Sequence, residues 1–294
     1  MTAEFQQIVA NGVASGCIFA LVALGFSMSY RAVKFFDLSY AVTLSVSGYA
    51  TYSVSREWHL SPLFSVAAAM LTAACFALIV HMAVFYHLRR RGAPSLTCVL
   101  ASLGVLMIGV NALALVFGDA PVMATRTESA TWDLLAARLT VPQVATIIAT
   151  PLVVALAWVA SERTKWGRQQ RAAYDDEYLA ACSGIAIERV VLSGSVFGAT
   201  LGGLASGLLA LQSSTTPFTG FHVLVPALAA AIVGGLGRVT GPAVFGIAFG
   251  VAGELFGWRV SMAWHNVLAL SVLVVYLLLR PMRHALSPRA RVGL

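Results

Sequence analysis

The amino-acid sequence predicts an all-α polytopic membrane protein, and three observations carry that prediction. Hydrophobic residues fill 59% of the 294 positions and charged residues only 11%, against roughly 25% charged in an ordinary soluble domain. The apolar residues gather into runs of about 20, the length of a spanning helix, and not into the alternating runs of about 10 that build an outer-membrane barrel. The basic residues fall unevenly between the connections, as the positive-inside rule demands. Together these exclude a soluble enzyme, a disordered chain and a disulfide-rich secreted module. A net charge of +7 would raise the question of nucleic acid in a soluble protein. Here it is the ordinary signature of cytoplasmic loops in contact with a lipid bilayer, and no nucleic-acid partner is expected.

Six runs, at 8–30, 35–53, 62–85, 95–117, 141–160 and 190–211, are long enough to cross a bilayer. The first has no basic leader before it and reads as a retained span, not a signal peptide. Two shorter runs, 223–233 and 243–256, flank the glycine-rich hinge GGLGRVTGP at 234–242. They are either two compact spans joined by a tight turn or a re-entrant hairpin lining a pathway. A last run covers 264–279, giving about eight or nine segments in one domain over residues 1–294. With Arg89, Arg90 and Arg91 placed in the cytoplasm, 15 basic residues fall inside and 4 outside, so the N-terminus is expected outside and the C-terminus inside.

The longest polar connection is 161–189, SERTKWGRQQRAAYDDEYLAACSGIAIER, with five acidic and five basic residues. Acids flanked by bases among good helix formers predict one or two short amphipathic helices at the membrane surface, long for a mere connection. Chemistry is otherwise sparse. There is no GxxxxGK[ST] phosphate loop, no HExxH and no Cys/His metal spacing, and Cys17, Cys75, Cys98 and Cys182 are scattered. No catalytic residue, metal site or bound cofactor is expected. Asp37, His81, Glu254 and His265 are the ionisable groups at expected membrane depth, all near segment ends, and an interfacial position accounts for them. Asn11, Ser15, Asn111 and Gln143 either bond a neighbouring helix or line a path for a polar solute.

Several blocks, in order along nearly the whole chain, resemble the permease subunits of the branched-chain amino acid ABC importers. They are NGVASGCIFALVALGFSMSY (11–30), RGAPSLTCVLASLGVLMIGVNALALVFG (91–118), RTKWGRQQRAAYDDEYLAACSGIAIERV (163–190), PFTGFHVLVPALAAAIVGGLGRVTGPAVFGIAFGVAGEL (217–255) and the ending LLLRP (277–281). The charged loop, the hinge and the RP ending are specific in combination. The length resembles the shorter of the two permease types. One departure stands out: where the family shows Asn-Phe-Ala-His-Gly, this chain has Asp37-Leu38-Ser39-Tyr40-Ala41.

The resemblance implies a bacterial inner-membrane permease for branched-chain or related amino acids. It implies a second permease subunit, most simply in a heterodimer, an extracytoplasmic solute-binding protein, and two cytoplasmic ATPases that use ATP in place of this chain. The 161–189 loop would couple to those ATPases through Gly167, Arg168, Arg171, Ala172, Ala173, Asp175, Asp176, Glu177 and Gly184. A tryptophan at Ala172 or Ala173 is expected to block that seating without unfolding the permease. Asn11, Asn111, Gly234, Gly235, Gly237 and Glu254 are the expected pathway and hinge residues. The departure at 37–41 leaves urea, amides or small carboxylates as alternative solutes. A self-powered secondary transporter is the rival from another class.

Overall fold

The computed structural model describes residues 2–58, 61–124, 131–134, 137–259, 270, 271 and 274. Arg126, His265, the ending at 277–281 and the C-terminal arginines lie outside the described residues, as does the last run at 264–279 apart from three positions. Helices dominate: α1 (Thr2–Val33), α2 (Ser39–Arg56), α3 (Pro62–Val80), a π turn (His81–Phe85) leading into α4 (Tyr86–Arg90), α5 (Ser95–Phe117), α6 (Val141–Arg163), α7 (Lys165–Asp175), α8 (Glu177–Cys182), α9 (Ile187–Ala210), α10 (Thr219–Gly234) and α11 (Thr240–Arg259). One antiparallel hairpin, β1 (Thr131–Leu134) with β2 (Ala137–Thr140), precedes α6 and is an exception to the all-α expectation. Thr140 caps α6, and Gln143 Oε1 accepts its backbone N–H at 2.9 Å, closing a capping box.

Six helical stretches among the described residues are long and apolar enough to span a membrane: 4–33, 62–90, 95–117, 141–163, 187–210 and 240–257. These are not the six read from the sequence. The 35–53 run does not begin as a helix. Residues 34–38 form an elbow, with Lys34 at φ 61°, and helix resumes at Ser39. The helix that follows, α2, carries Ser39, Thr43, Ser45, Ser47 and Thr51, all buried. Three of these hydroxyls donate to carbonyls one turn back and Ser45 Oγ donates to Pro217 O at 2.8 Å, so the polar groups are satisfied within protein. Conversely, 243–256 looked short because glycine interrupts it. It belongs to a helix of 20 residues, about 30 Å long.

The bundle is organised around α1, which packs against α6, α9, α10 and α11. Its middle, from Ala20 to Leu24, is fully buried. The α1–α11 contact is antiparallel and close. A side chain at Gly250 would run into the Gly16 backbone, and one at Gly246 into Ala20. Small residues permit this approach, and in lipid such contact replaces the hydrophobic drive that water would supply. By contrast α3, α5 and α6 present large apolar side chains outward, among them Leu63, Leu71, Ile108, Leu115, Ile148 and Leu152.

Asp37 and His81 are buried in protein. Asp37 accepts the Ser39 N–H (2.9 Å) and hydroxyl (2.5 Å) and so anchors the start of α2. His81 opens the π turn, and its Nδ1 has no hydrogen-bond partner.

Candidate functional site

The polar stretch 161–189 contains the end of α6, the short helices α7 and α8, and the start of α9. The Thr164 side chain starts α7 by accepting the Gly167 N–H at 3.1 Å. Gly167, Gln170 and Ala173 recur at the helical period and are buried. Gln170 Nε2 donates to Val190 O at 2.5 Å and Trp166 Nε1 to Ser193 Oγ at 2.9 Å, which fastens this face to α9. Arg168 is exposed and Ala172 half-buried. Ala172 and Ala173 are therefore not equivalent. Ala173, 5% exposed, faces the permease itself, so a tryptophan there would disturb folding and not only docking.

Asp176 caps α8, accepting the N–H groups of Tyr178 (2.8 Å) and Leu179 (3.1 Å). Glu177 pairs with Lys34 of the α1–α2 elbow (3.6 Å) and with Arg89 of α4 (3.2 Å). Tyr178 and Leu179 are 77% and 62% exposed on this polar face, and Asp175 and Gly184 are exposed beside them. The sequence reading missed Tyr178 and Leu179. Their signal was two large apolar residues directly after an acidic cap in an otherwise polar loop.

The glycine hinge comes to the same place. Ser27 of α1 accepts the Gly237 N–H (2.8 Å) and donates to Arg238 O (3.0 Å). Gly234 lies against the Gly241 backbone, and Gly237 sits between Tyr174 of α7 and Arg31 of α1. Arg31 is the centre of the junction, yet the sequence showed it only as a loop charge. Its guanidinium donates to Ser161 Oγ (2.9 Å) and Gly167 O (3.1 Å). Arg171 pairs with Glu162 and donates to Ser161 O at 3.0 Å. Between the ends of α1 and α6, α7 and the hinge lies a cavity of about 460 Å³.

The other expected pathway residues do not gather. Asn11 accepts from Gln7 on its own helix at 3.2 Å. Ser15, one turn further along α1, donates to Glu254 of α11 at 3.4 Å. Asn111 is exposed on α5 and donates to Met107 O at 2.7 Å. Tyr40, at the departure from the family pattern, is buried, and its hydroxyl donates to Gly198 O at 3.0 Å. Its ring meets Phe26 edge-on at 5.7 Å.

A bundle centred on a long buried helix, with six helices long and apolar enough to span a bilayer and short polar helices fastened to one end, is the architecture of a multi-pass membrane protein. The fold is similar to that of PsaBC from Streptococcus pneumoniae in complex with a Fab, with a TM-score of 0.53 and 16% identity over 94% of this chain and 95% of that one. Residues 8–278 match the family described as "Branched-chain amino acid transport system / permease component", and the chain belongs to that family. It is 25% identical over 291 residues to the high-affinity branched-chain amino acid transport system permease protein LivH of Salmonella typhimurium, covering 94% of each. It is 28% identical over 293 residues to the corresponding protein BraD of Pseudomonas aeruginosa, again covering 94% of each.

Proposed function

We propose that this chain is one of two permease subunits of an ATP-driven importer of branched-chain amino acids, fed by an extracytoplasmic binding protein and driven by two cytoplasmic ATPases. The chain has no ATPase site of its own, and ATP acts on it through those partners. The N-terminus is outside and the C-terminus inside, and α10 and α11 are two of eight or nine segments joined at the hinge.

The 15-to-4 basic asymmetry supports the orientation. The course of α10 agrees with it. The helix starts by the 211–218 loop, where Gly220 N–H donates to Ser45 Oγ at 3.1 Å, and it ends beside α7. The one observation that carries the coupling role is the division of the α7–α8 unit. One face is tied into the bundle through Gln170, Trp166 and Glu177, while Arg168, Tyr178 and Leu179 face outward. An aromatic and an aliphatic residue exposed on a polar surface are the parts a soluble partner's groove can grip. The solute reading is supported by the named relatives. It is also supported by the burial of Asp37 and Tyr40, whose internal hydrogen bonds make the departure at 37–41 a packing change and remove the reason to favour urea or carboxylates.

The test is Ala172→Trp. The variant should reach the membrane at normal levels, lose labelled leucine uptake by at least about tenfold, and lose the co-purifying ATPases. Retained ATPases together with normal leucine uptake would reduce 161–189 to a linker.

A further inference from the structure

The cavity between α1, α6, α7 and the hinge has a charge arrangement that the coupling role does not use. Arg31 is only 5% exposed, and its two acceptors, Ser161 Oγ and Gly167 O, are both neutral. Among the described residues no carboxylate lies within ion-pairing distance of it. Glu162 and Asp175 act on its charge from farther off, and a guanidinium's fork of N–H groups is shaped to hold a carboxylate at contact. Glu162 is already taken by Arg171. Asp175 and Arg238 line the same cavity and make no ion pair among the described residues. Trp158 and Leu236 supply apolar wall beside these charges.

We propose that this cavity is a second solute site, open to the cytoplasmic side, that takes a zwitterionic aliphatic amino acid. The ligand's carboxylate sits on Arg31 and Arg238, its ammonium on Asp175, and its side chain against Trp158 and Leu236. A volume of about 460 Å³ falls in the range of small-molecule sites and leaves room for an aliphatic amino acid with bridging water. The lining holds Arg31, Arg171 and Arg238 with Glu162 and Asp175, so a ligand carrying both signs of charge meets a partner for each. The zwitterion matches both signs of charge in the lining. The four elements it touches include α7, which the ATPases are to move, so the ligand favours the arrangement in which all four are together. Accumulated product would therefore slow the cycle. This consequence and the cytoplasmic opening rest on the cargo and orientation proposed above, whereas binding of the amino acid in the cavity does not.

The probe is tritiated leucine, with the complete importer in detergent and the extracytoplasmic binding protein left out. Saturable binding is expected. 4-Methylpentanoate, which is leucine without the ammonium, and isoamylamine, which is leucine without the carboxylate, should each compete at least tenfold more weakly than leucine. Inorganic phosphate at 10-fold excess should not displace leucine. Asp175→Asn and Arg238→Gln, both at exposed positions, should each weaken leucine binding at least tenfold while the protein elutes as the wild type does. Arg31→Gln should abolish binding. It serves as a supporting variant only, because Arg31 also holds α6 and α7. Absent binding, phosphate competition equal to leucine's, or affinity unchanged in both Asp175→Asn and Arg238→Gln would each overturn the site. If leucine binds in this pattern but cells lacking the chain import leucine normally, the site stands and the cargo reading falls.

Discussion

The two ends of α1 are held by opposite means. Along its first half, Gly12 and Gly16 let the backbone of α11 lie directly on that of α1, with Gly246 and Gly250 in matching places and the Ser15–Glu254 hydrogen bond crossing the seam. At its far end, Ser27, Arg31 and Lys34 reach the hinge, α7 and α8 through hydrogen bonds and ion pairs around an open cavity. Backbone-on-backbone contact has one good arrangement, because neither side can give. A junction of long side chains around a cavity can rearrange at little cost, since its hydrogen bonds can pass to water. The seam is thus suited to assembly and the junction to motion.

The sharpest way to break this contrast is Gly250→Leu. Any Cβ there meets the Gly16 backbone and not a flexible side chain that could move aside. Overpacking a tight interior costs about 1–3 kcal/mol even where side chains can adjust. The variant should yield little or no folded protein in the membrane by fluorescence-detected gel filtration, and no uptake. Normal yield with selective loss of uptake would instead make the seam a moving part.

Gly235→Leu probes the hinge and should have a smaller effect. Here space is not the obstacle, because the nearest atoms, on the Arg238 side chain, lie at 3.4 Å. The obstacle is φ of 96°, which a leucine adopts only under strain of about 1–3 kcal/mol. The protein should fold, melt a few degrees lower, and take up solute at less than half the wild-type rate. An unchanged melting temperature and rate would show that the hinge relaxes freely.

How much of this was legible in the sequence follows the same division. Length and hydropathy locate α1, α3, α5, α6 and α9 to within a few residues, since burying apolar length in lipid is a local property of the chain. The same measure started α2 four residues early, at 35, where residues 34–38 form an elbow, and it read α11 short, because the glycines that look like breaks are its contact surface. The charged loop and the hinge were each visible as motifs. That they meet at Arg31 was not, because the meeting depends on α1 ending beside both. The pathway residues Asn11 and Asn111 were read from polarity alone, and each hydrogen-bonds within its own helix.

The smallest expected effect comes from Glu177→Gln, and its smallness is the point. Glu177 joins α8 to two corners of the bundle at once, Lys34 in the α1–α2 elbow at 3.6 Å and Arg89 in α4 at 3.2 Å. The side chains of all three are about a third exposed, at 38%, 32% and 27%. Water and salt therefore screen both pairs, and each is worth roughly 0–1 kcal/mol. Glutamine keeps an acceptor in the same place and loses only the charge. The variant should fold and melt as the wild type does, with uptake reduced by less than about threefold. The reduction should shrink as salt is raised, because the wild type then loses the same attraction. Had Glu177 been sealed in as Arg31 is, removing its charge would strand two cations and cost far more. A drop of tenfold or more in uptake at unchanged stability, insensitive to salt, would mean that α8 transmits force through this one carboxylate, and that the junction is as rigid in use as the glycine seam.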